Sequence, residues 1–180
     1  MTLLSLIAFV FGVFGVWLTI KQNILCWPVS IIAVLASIVE FFEQRLFGDM
    51  SLQIFYFFAA LYGWIFWNSQ KNTAFVVKKT RAKNWPVLIL ITLAQSVLYY
   101  FLLSYFKGDQ LVFDAILTAC SLTATFMMTR KWLENWAAWV LIDFAYAFLY
   151  GIKEMWLFSA LYLVFSLIAF YGWIKWRKTV

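Results

Sequence analysis

The sequence predicts an all-α membrane protein with seven transmembrane helices in a three-plus-one-plus-three order, its N-terminus outside and its C-terminus cytoplasmic. Composition, the spacing of apolar runs and a repeated hexapeptide carry that expectation. Of 180 residues, 66% are apolar and only 12% charged, with a mean hydropathy of +0.87. A soluble domain is nearer half apolar and a quarter charged. One bilayer-crossing helix takes about 20 residues, so seven leave little chain outside the membrane. A soluble enzyme, a nucleic-acid-binding domain and any sizeable extramembrane domain are excluded.

The apolar runs cover roughly residues 3–20, 25–46, 50–68, 86–106, 110–129, 134–151 and 155–175. The first is apolar from Leu3 and lacks a basic leader and an Ala-x-Ala pattern, so it reads as a retained span and not a cleaved signal. Trp27-Pro28 and Trp85-Pro86 open the second and fourth spans; proline at the first helical position costs no hydrogen bond. Trp136 opens the sixth. Several loops are very short, so consecutive helices are antiparallel neighbours. The longest connector, Asn68 to Asn84, carries Lys71, Lys78, Lys79, Arg81 and Lys83 and no acid.

The net charge of +6 resolves once each cation has a side. With the N-terminus outside, Lys21, the five connector cations, Arg130, Lys131, Lys175, Arg177 and Lys178 fall inside. Of the 14 Lys and Arg residues only Arg45, Lys107 and Lys153 remain outside, as the positive-inside rule requires. The excess is a topology signal and an attraction to anionic lipid, not a nucleic-acid footprint. Trp64, Trp67, Trp173 and Trp176 join Trp27, Trp85 and Trp136 at the inner ends of spans, where tryptophan anchors at the headgroup level. Histidine is absent, and the two cysteines, Cys26 and Cys120, lie far apart in apolar surroundings. No metal site, disulfide or cofactor is expected.

Tyr62-Gly63-Trp64-Ile65-Phe66-Trp67 recurs as Tyr171-Gly172-Trp173-Ile174-Lys175-Trp176, an offset of 109. The same offset aligns Ile7 with Ile116, Lys21 with Arg130, Trp27 with Trp136, Ala36 with Ala145, Leu52 with Leu161 and Ala60 with Ala169. Spans one to three thus match spans five to seven. Equivalent helices lie four spans apart and keep one orientation, which makes a parallel repeat like that of SWEET-type sugar carriers. The expected organisation is a first three-helix repeat over 1–68, a cytoplasmic linker with a connecting helix over 69–107, and a second repeat over 108–180. Such a body places a polar site between its lobes near the midplane.

Span five carries Asp114, Thr118, Ser121 and Thr125 on one helical face. The corresponding face of span one, Ser5, Ala8, Gly12, Gly15 and Thr19, is suited to close backbone packing. The Ser and Thr hydroxyls have a competing use, back-bonding within their own helix. Span six carries Trp136, Trp139 and Asp143 at i, i+3 and i+7. Asp143 lies about 10 Å along the axis beyond Trp136, where a carboxylate is costly and marks a functional site or a packed polar contact. Span three adds Gln53 and Tyr56, while Glu40 and Glu43 near the outer end of span two are expected to line the mouth or face water. Indole rings beside a buried acid suit a flat heteroaromatic cargo, especially a cationic one.

Three stretches resemble the PnuC-type vitamin transporters. They are Trp27-Pro28; Gly48-Asp49-Met50-Ser51-Leu52-Gln53-Ile54-Phe55-Tyr56 running on to Tyr62-Gly63-Trp64; and Glu134-Asn135-Trp136-Ala137-Ala138-Trp139 followed by Asp143. The resemblance implies a seven-helix carrier of the bacterial inner membrane that moves a small vitamin by facilitated diffusion. Phosphorylation of the cargo by a cytoplasmic kinase would trap it inside. Nicotinamide riboside is the leading cargo, with thiamine, riboflavin or a deoxynucleoside as alternatives. The resemblance implies substrate contacts at Gln53, Asn135, Trp136, Trp139 and Asp143, with Thr118 and Ser121 opposite, and the spacing on span three adds Tyr56 to the candidates. The chain departs from the riboside carriers at Thr125, where they carry Gln, and at Ser30, where they carry Gly. A proton-coupled symporter using Asp143 is the competing transport reading; no enzymatic constellation is present, and homo-oligomerisation is left open.

Overall fold

The computed structural model describes residues 2–45, 47–71, 75–105, 111–152, 154 and 156–180, with the side chains of Phe47, Gly48 and Leu157 outside that description. Lys107 and Lys153, assigned to the outside above, lie beyond the described residues, as do the span ends expected at 46, 106, 110 and 155. Seven α-helices follow in order: α1 Leu3–Ile20, α2 Cys26–Glu43, α3 Phe47–Ser69, α4 Trp85–Tyr105, α5 Leu111–Thr129, α6 Glu134–Ile152 and α7 Trp156–Arg177. All seven are long and apolar enough to cross a membrane. A 3-10 turn, Ala82–Asn84, precedes α4.

The chain divides into two compact units, Met1–Phe75 with Phe101–Asp109, and Val76–Tyr100 with Gln110–Val180. In the first, α2 packs against both α1 and α3; in the second, α6 packs against both α5 and α7. Helix periodicity sorts the α2 face: Ile32, Leu35, Val39 and Phe42 are exposed, while Ala33, Ala36 and Glu40 are buried. Exposed apolar side chains of this kind are what a bilayer covers.

Local devices recur between the units at the offset of 109. Gln22 and Lys131 both adopt positive φ, 55° and 52°, and so do Arg45 and Glu154, at 60° and 58°. The Asn23 N–H donates to the Leu18 carbonyl at 2.9 Å and the Gln22 N–H to Thr19 at 2.8 Å. Trp132 and Lys131 repeat that pair on Met127 and Met128, at 3.0 and 2.9 Å. Both α1 and α5 therefore end in a Schellman turn whose left-handed residue is not glycine. The basic residue at each C-terminus covers an aromatic ring one turn back: Lys21 Nζ lies 3.6 Å from the Trp17 centroid and Arg130 Cζ 5.4 Å from Phe126.

The repeated hexapeptide is a packing key. The Trp27 and Trp67 rings meet edge to face at 5.4 Å and 90°, and Trp136 and Trp176 do the same at 5.3 Å and 90°. A Cβ on Gly63 would come within 2.5 Å of Trp27, and one on Gly172 within 2.7 Å of Trp136. The motif glycine thus admits the indole of the middle helix, and the tryptophan four residues on closes over it. All four rings are buried, so the expectation of an inner ring of interfacial anchors is corrected for Trp27, Trp67, Trp136 and Trp176. Trp64 and Trp85 remain exposed, as interfacial anchors would be.

Polar groups complete each unit. A Cβ on Gly15 would sit 2.6 Å from Ser30 Oγ, so α1 closes on α2 there, whereas Gly12 faces open space. Glu40 is buried, contrary to the expectation that it faces water. Thr2 Oγ1 and Ser5 Oγ each donate to its carboxylate at 2.7 Å, and Gln44 Nε2 does so at 2.8 Å. Thr2 also caps α1 by accepting from the Ser5 N–H at 3.0 Å, so the acid ties the first turn of α1 to the last turn of α2. Glu40→Ala should cost about 1 kcal/mol and Glu40→Gln less, read as the thermal unfolding midpoint in detergent.

In the second unit the connector is strapped down. The Lys78 N–H donates to the Lys131 carbonyl at 3.1 Å, and the Leu133 N–H to the Lys78 carbonyl at 3.0 Å. The Thr80 N–H and hydroxyl both donate to Glu134 Oε2, at 2.8 and 2.7 Å. Helix α4 is joined to α5 by the Thr92 and Thr123 hydroxyls, 2.7 Å apart, with Gln95 Oε1 3.3 Å from Thr123.

Candidate functional site

The two units serve as controls for each other, because what both share is architecture and what one alone carries is available for function. The second unit differs most along α5 and α6. At the offset of 109, Thr118, Ser121 and Thr125 stand where α1 has Phe9, Gly12 and Val16. Asn135, Trp139 and Asp143 stand where α2 has Cys26, Ser30 and Val34.

These differences coincide with polar atoms that lack partners. Buried polar groups are normally hydrogen-bonded, and each exception needs a reason. Asn135 is fully enclosed; its Nδ2 donates to the Trp132 carbonyl, but its Oδ1 has no partner. The Trp139 indole N–H is buried and unpaired. Asp143 is 7% exposed, and no described residue hydrogen-bonds or ion-pairs with its carboxylate. Thr118 is buried and its hydroxyl likewise makes no hydrogen bond among the described residues. Ser121 and Thr125 instead donate to the Leu117 and Ser121 carbonyls, both at 2.8 Å, which is the back-bonding use weighed above. Their lone pairs remain free to accept.

Trp136 behaves differently from Trp139. Its N–H is unpaired, but so is that of its counterpart Trp27, so the orphaned donor there belongs to the packing key. Trp139 has no aromatic counterpart in the first unit. In that unit, Gln53 and Tyr56 lie three residues apart on α3, both half-buried, and Gln53 makes no hydrogen bond among the described residues.

The periodicity of α6 sets the inward face. Leu141, Phe144, Phe148 and Ile152 are exposed on one side, and Trp139 and Asp143 lie on the other. A cavity of about 340 Å3 lined by Phe144, Phe148, Gly151, Ile152, Ser159 and Leu163 opens on the exposed side. Its apolar walls and outward aspect separate it from the carboxylate.

Tyr146, Tyr150 and Tyr162 are absent from the sequence candidates. Tyr146 and Tyr150 continue the Asp143 face at i+3 and i+7, and Tyr162 is the counterpart of Gln53. The Tyr146 and Tyr162 rings stack at 5.0 Å and 29°, and Tyr150 and Tyr162 at 5.4 Å and 14°. The spacing on α6 carried that signal.

Together these features suit binding of a flat, hydrogen-bonding, cationic heterocycle: a carboxylate for charge, an indole face for stacking, and an amide and hydroxyls for polar substituents. Among the described residues no group of three or more Asp, Glu or Cys side chains could hold a metal ion.

The family model described as "Nicotinamide mononucleotide transporter" matches residues 2–178. The chain is 25% identical over 166 residues to the nicotinamide riboside transporter PnuC of Escherichia coli (strain K12), covering 77% of this chain and 70% of that one. It is 22% identical over 179 residues to that of Haemophilus influenzae, covering 96% and 79%. The crystal structure of the vitamin B3 transporter PnuC superposes with a TM-score of 0.74 at 20% identity, over 97% of this chain and 80% of that one. With seven helices fit to cross a bilayer and a family match along nearly its whole length, the chain belongs to the nicotinamide mononucleotide (PnuC) transporter family and is a multi-pass protein of the bacterial inner membrane.

Proposed function

We propose that this protein imports nicotinamide riboside by facilitated diffusion, with phosphorylation by a cytoplasmic kinase making uptake one-way. The observation that carries the reading is a set of unpartnered polar groups in the second three-helix unit with no counterpart at the offset of 109 in the first: Thr118, Asn135 Oδ1, the Trp139 N–H and the Asp143 carboxylate. Relatives carrying the riboside transporter name support the choice of cargo. The pyridinium ring of the riboside supplies the positive charge and π face that Asp143 and Trp139 fit, and its ribose hydroxyls match the amides and hydroxyls. Gln53, Tyr56 and Ser121 complete the proposed contacts, with Trp136 as the wedge that fixes the start of α6.

The matching turns, caps and tryptophan keys at the offset of 109 support a parallel repeat of the SWEET kind, over 1–68 and 108–180 with the linker and α4 over 69–107 between. The cation distribution supports an outside N-terminus and a cytoplasmic C-terminus.

Purified protein in liposomes should equilibrate external nicotinamide riboside, and accumulate it only when a riboside kinase and ATP are enclosed. A pH gradient imposed at zero membrane potential should leave the initial rate unaltered; acceleration would favour the proton symporter. Stronger binding and faster uptake of thiamine than of the riboside would reassign the cargo. Trp139→Ala should weaken riboside binding by about 1–3 kcal/mol, the range measured for ring stacking. Unchanged affinity by calorimetry in a folded variant would assign Trp139 to packing.

A further inference from the structure

We propose that the connector ahead of α4 is a positioning strap for the cargo site. Acting through Trp132 and Glu134, Lys78 and Thr80 hold the Asn135 amide so that its Oδ1 is presented to the cargo as a hydrogen-bond acceptor. This rests on the cargo reading proposed above. All five residues lie in the second unit. Val77 and Thr80 are buried while Lys78, Lys79 and Arg81 are exposed, so the strap docks by one edge. Lys78 brackets Trp132: its N–H donates to the Lys131 carbonyl at 3.1 Å, and its carbonyl accepts from the Leu133 N–H at 3.0 Å. Two residues on, the Thr80 N–H and hydroxyl converge on one oxygen of Glu134, at 2.8 and 2.7 Å.

The bracketed residue supplies the carbonyl that accepts from Asn135 Nδ2. A carbonyl only accepts, so the amide nitrogen must face it and the amide oxygen is the free end. Asn135 is fully enclosed and its Oδ1 has no partner, a demand that a donor on the cargo would meet. A riboside brings such donors in its carboxamide and its ribose hydroxyls. The first unit shows what the strap is not needed for. There the Cys26 N–H donates to the Asn23 carbonyl at 3.0 Å and the Trp27 N–H to Ile24 at 3.2 Å. Asn135 and Trp136 repeat those bonds on Trp132 and Leu133, both at 3.2 Å. Asn23 Oδ1 also accepts from the Leu25 N–H at 2.9 Å, an Asx turn made within the loop itself. At the offset of 109, exposed Leu25 stands for Glu134 and Cys26 for Asn135. The strap's anchor and the amide are thus both missing from a unit whose helix starts the same way. A partner drawn from 54 residues away serves the amide and not the helix start.

The test measures the Kd of nicotinamide riboside by calorimetry on detergent-purified E134A, N135A and E134A/N135A beside the unaltered chain. N135A should bind about tenfold and E134A about fivefold more weakly, the scale of one lost hydrogen bond. The double variant should be no weaker than N135A, because the strap acts through the amide it holds. E134Q keeps the accepting oxygen and should bind within about twofold of the unaltered chain. T80V removes one of the two bonds at nearly constant shape and should show the same pattern at about twofold to threefold; it decides the matter should E134A not fold. The proposal is overturned if E134A and T80V bind as tightly as the unaltered chain. It is overturned equally if their loss recurs in full in the N135A background, the pattern of a strap that only steadies the helix. An E134Q as weak as E134A would also overturn it, assigning the effect to charge at the helix start. If the unaltered chain fails to bind the riboside, the cargo reading falls and this role with it. Tight binding by both the unaltered chain and E134A removes the strap's role alone.

Discussion

Gly172→Ala is expected to destabilise the second three-helix unit by about 2–3 kcal/mol, the upper range for overpacking a closed core, and Gly172→Val to leave little folded protein. A Cβ at this position would meet Trp136 Cε3 at 2.7 Å and two further ring carbons at 2.8 Å. The indole cannot yield, because it is 1% exposed and held edge-on by Trp176, itself fully buried. Nor does the end of α6 move freely, since Glu134 is tied to Thr80 and Asn135 to Trp132. Gly63→Ala should behave alike, with its added carbon 2.5 Å from Trp27. The check is the unfolding midpoint in detergent, with Gly12→Ala as the control because nothing lies within 4 Å there. Trp136→Phe in the Gly172→Ala background should recover part of the loss, a coupling expected only between touching residues. An unchanged midpoint for Gly172→Ala would mean that the helices separate at little cost and that the shared key does not hold the bundle.

Much of the architecture was legible because hydropathy and charge act along the chain. Helices α1, α3 and α5–α7 begin and end within a few residues of the expected spans, and α4 starts at Trp85 where the Trp-Pro pair predicted. The hexapeptide was visible as a repeat, but its purpose was not. Gly63 and Trp67 act on Trp27, a partner a whole helix away, and no local pattern names that pair. For the same reason four of the seven inner tryptophans, Trp27, Trp67, Trp136 and Trp176, are buried in helix packing and are not interfacial anchors. Indole amphipathicity places a residue at an end of a span but does not say whether it faces lipid or a neighbouring helix. Gln22, Arg45, Lys131 and Glu154 take left-handed conformations without the glycine or asparagine that usually signals them. An acid near a helix end is expected to line the mouth or face water, but Glu40 is buried because its partners Thr2 and Ser5 come from the start of α1. On the site faces, spacing put Thr118, Ser121 and Thr125 together. Only coordinates separate the two that back-bond from Thr118, which does not.

Asp143→Asn is expected to weaken binding of the cationic riboside by about 3 kcal/mol, roughly 100-fold, the low end for breaking a buried charge pair. A neutral analogue with a reduced, uncharged ring should lose much less. The side chain is a near-isostere, so packing around Ile142 and Ala147, both buried beside it on α6, should hardly alter. The sign follows from the environment. Asp143 is 7% exposed, and no described side chain neutralises or hydrogen-bonds it, so a cation entering that space gains an attraction that water screens only weakly. An amide offers the same oxygen without the charge and keeps only a hydrogen bond. The empty protein should respond in the opposite direction. Removing an uncompensated charge from a low-dielectric span relieves a desolvation cost of several kcal/mol, so Asp143→Asn should raise the unfolding midpoint while lowering affinity. Stability given up at one residue and recovered as selectivity is the signature of a binding group, whereas a residue that clamps helices would lose both together. Calorimetry with the riboside and its reduced analogue, alongside thermal unfolding of the same preparations, separates the two. Equal losses for both ligands, or a lower midpoint in the asparagine variant, would make Asp143 a strut and leave the cationic selectivity without a source.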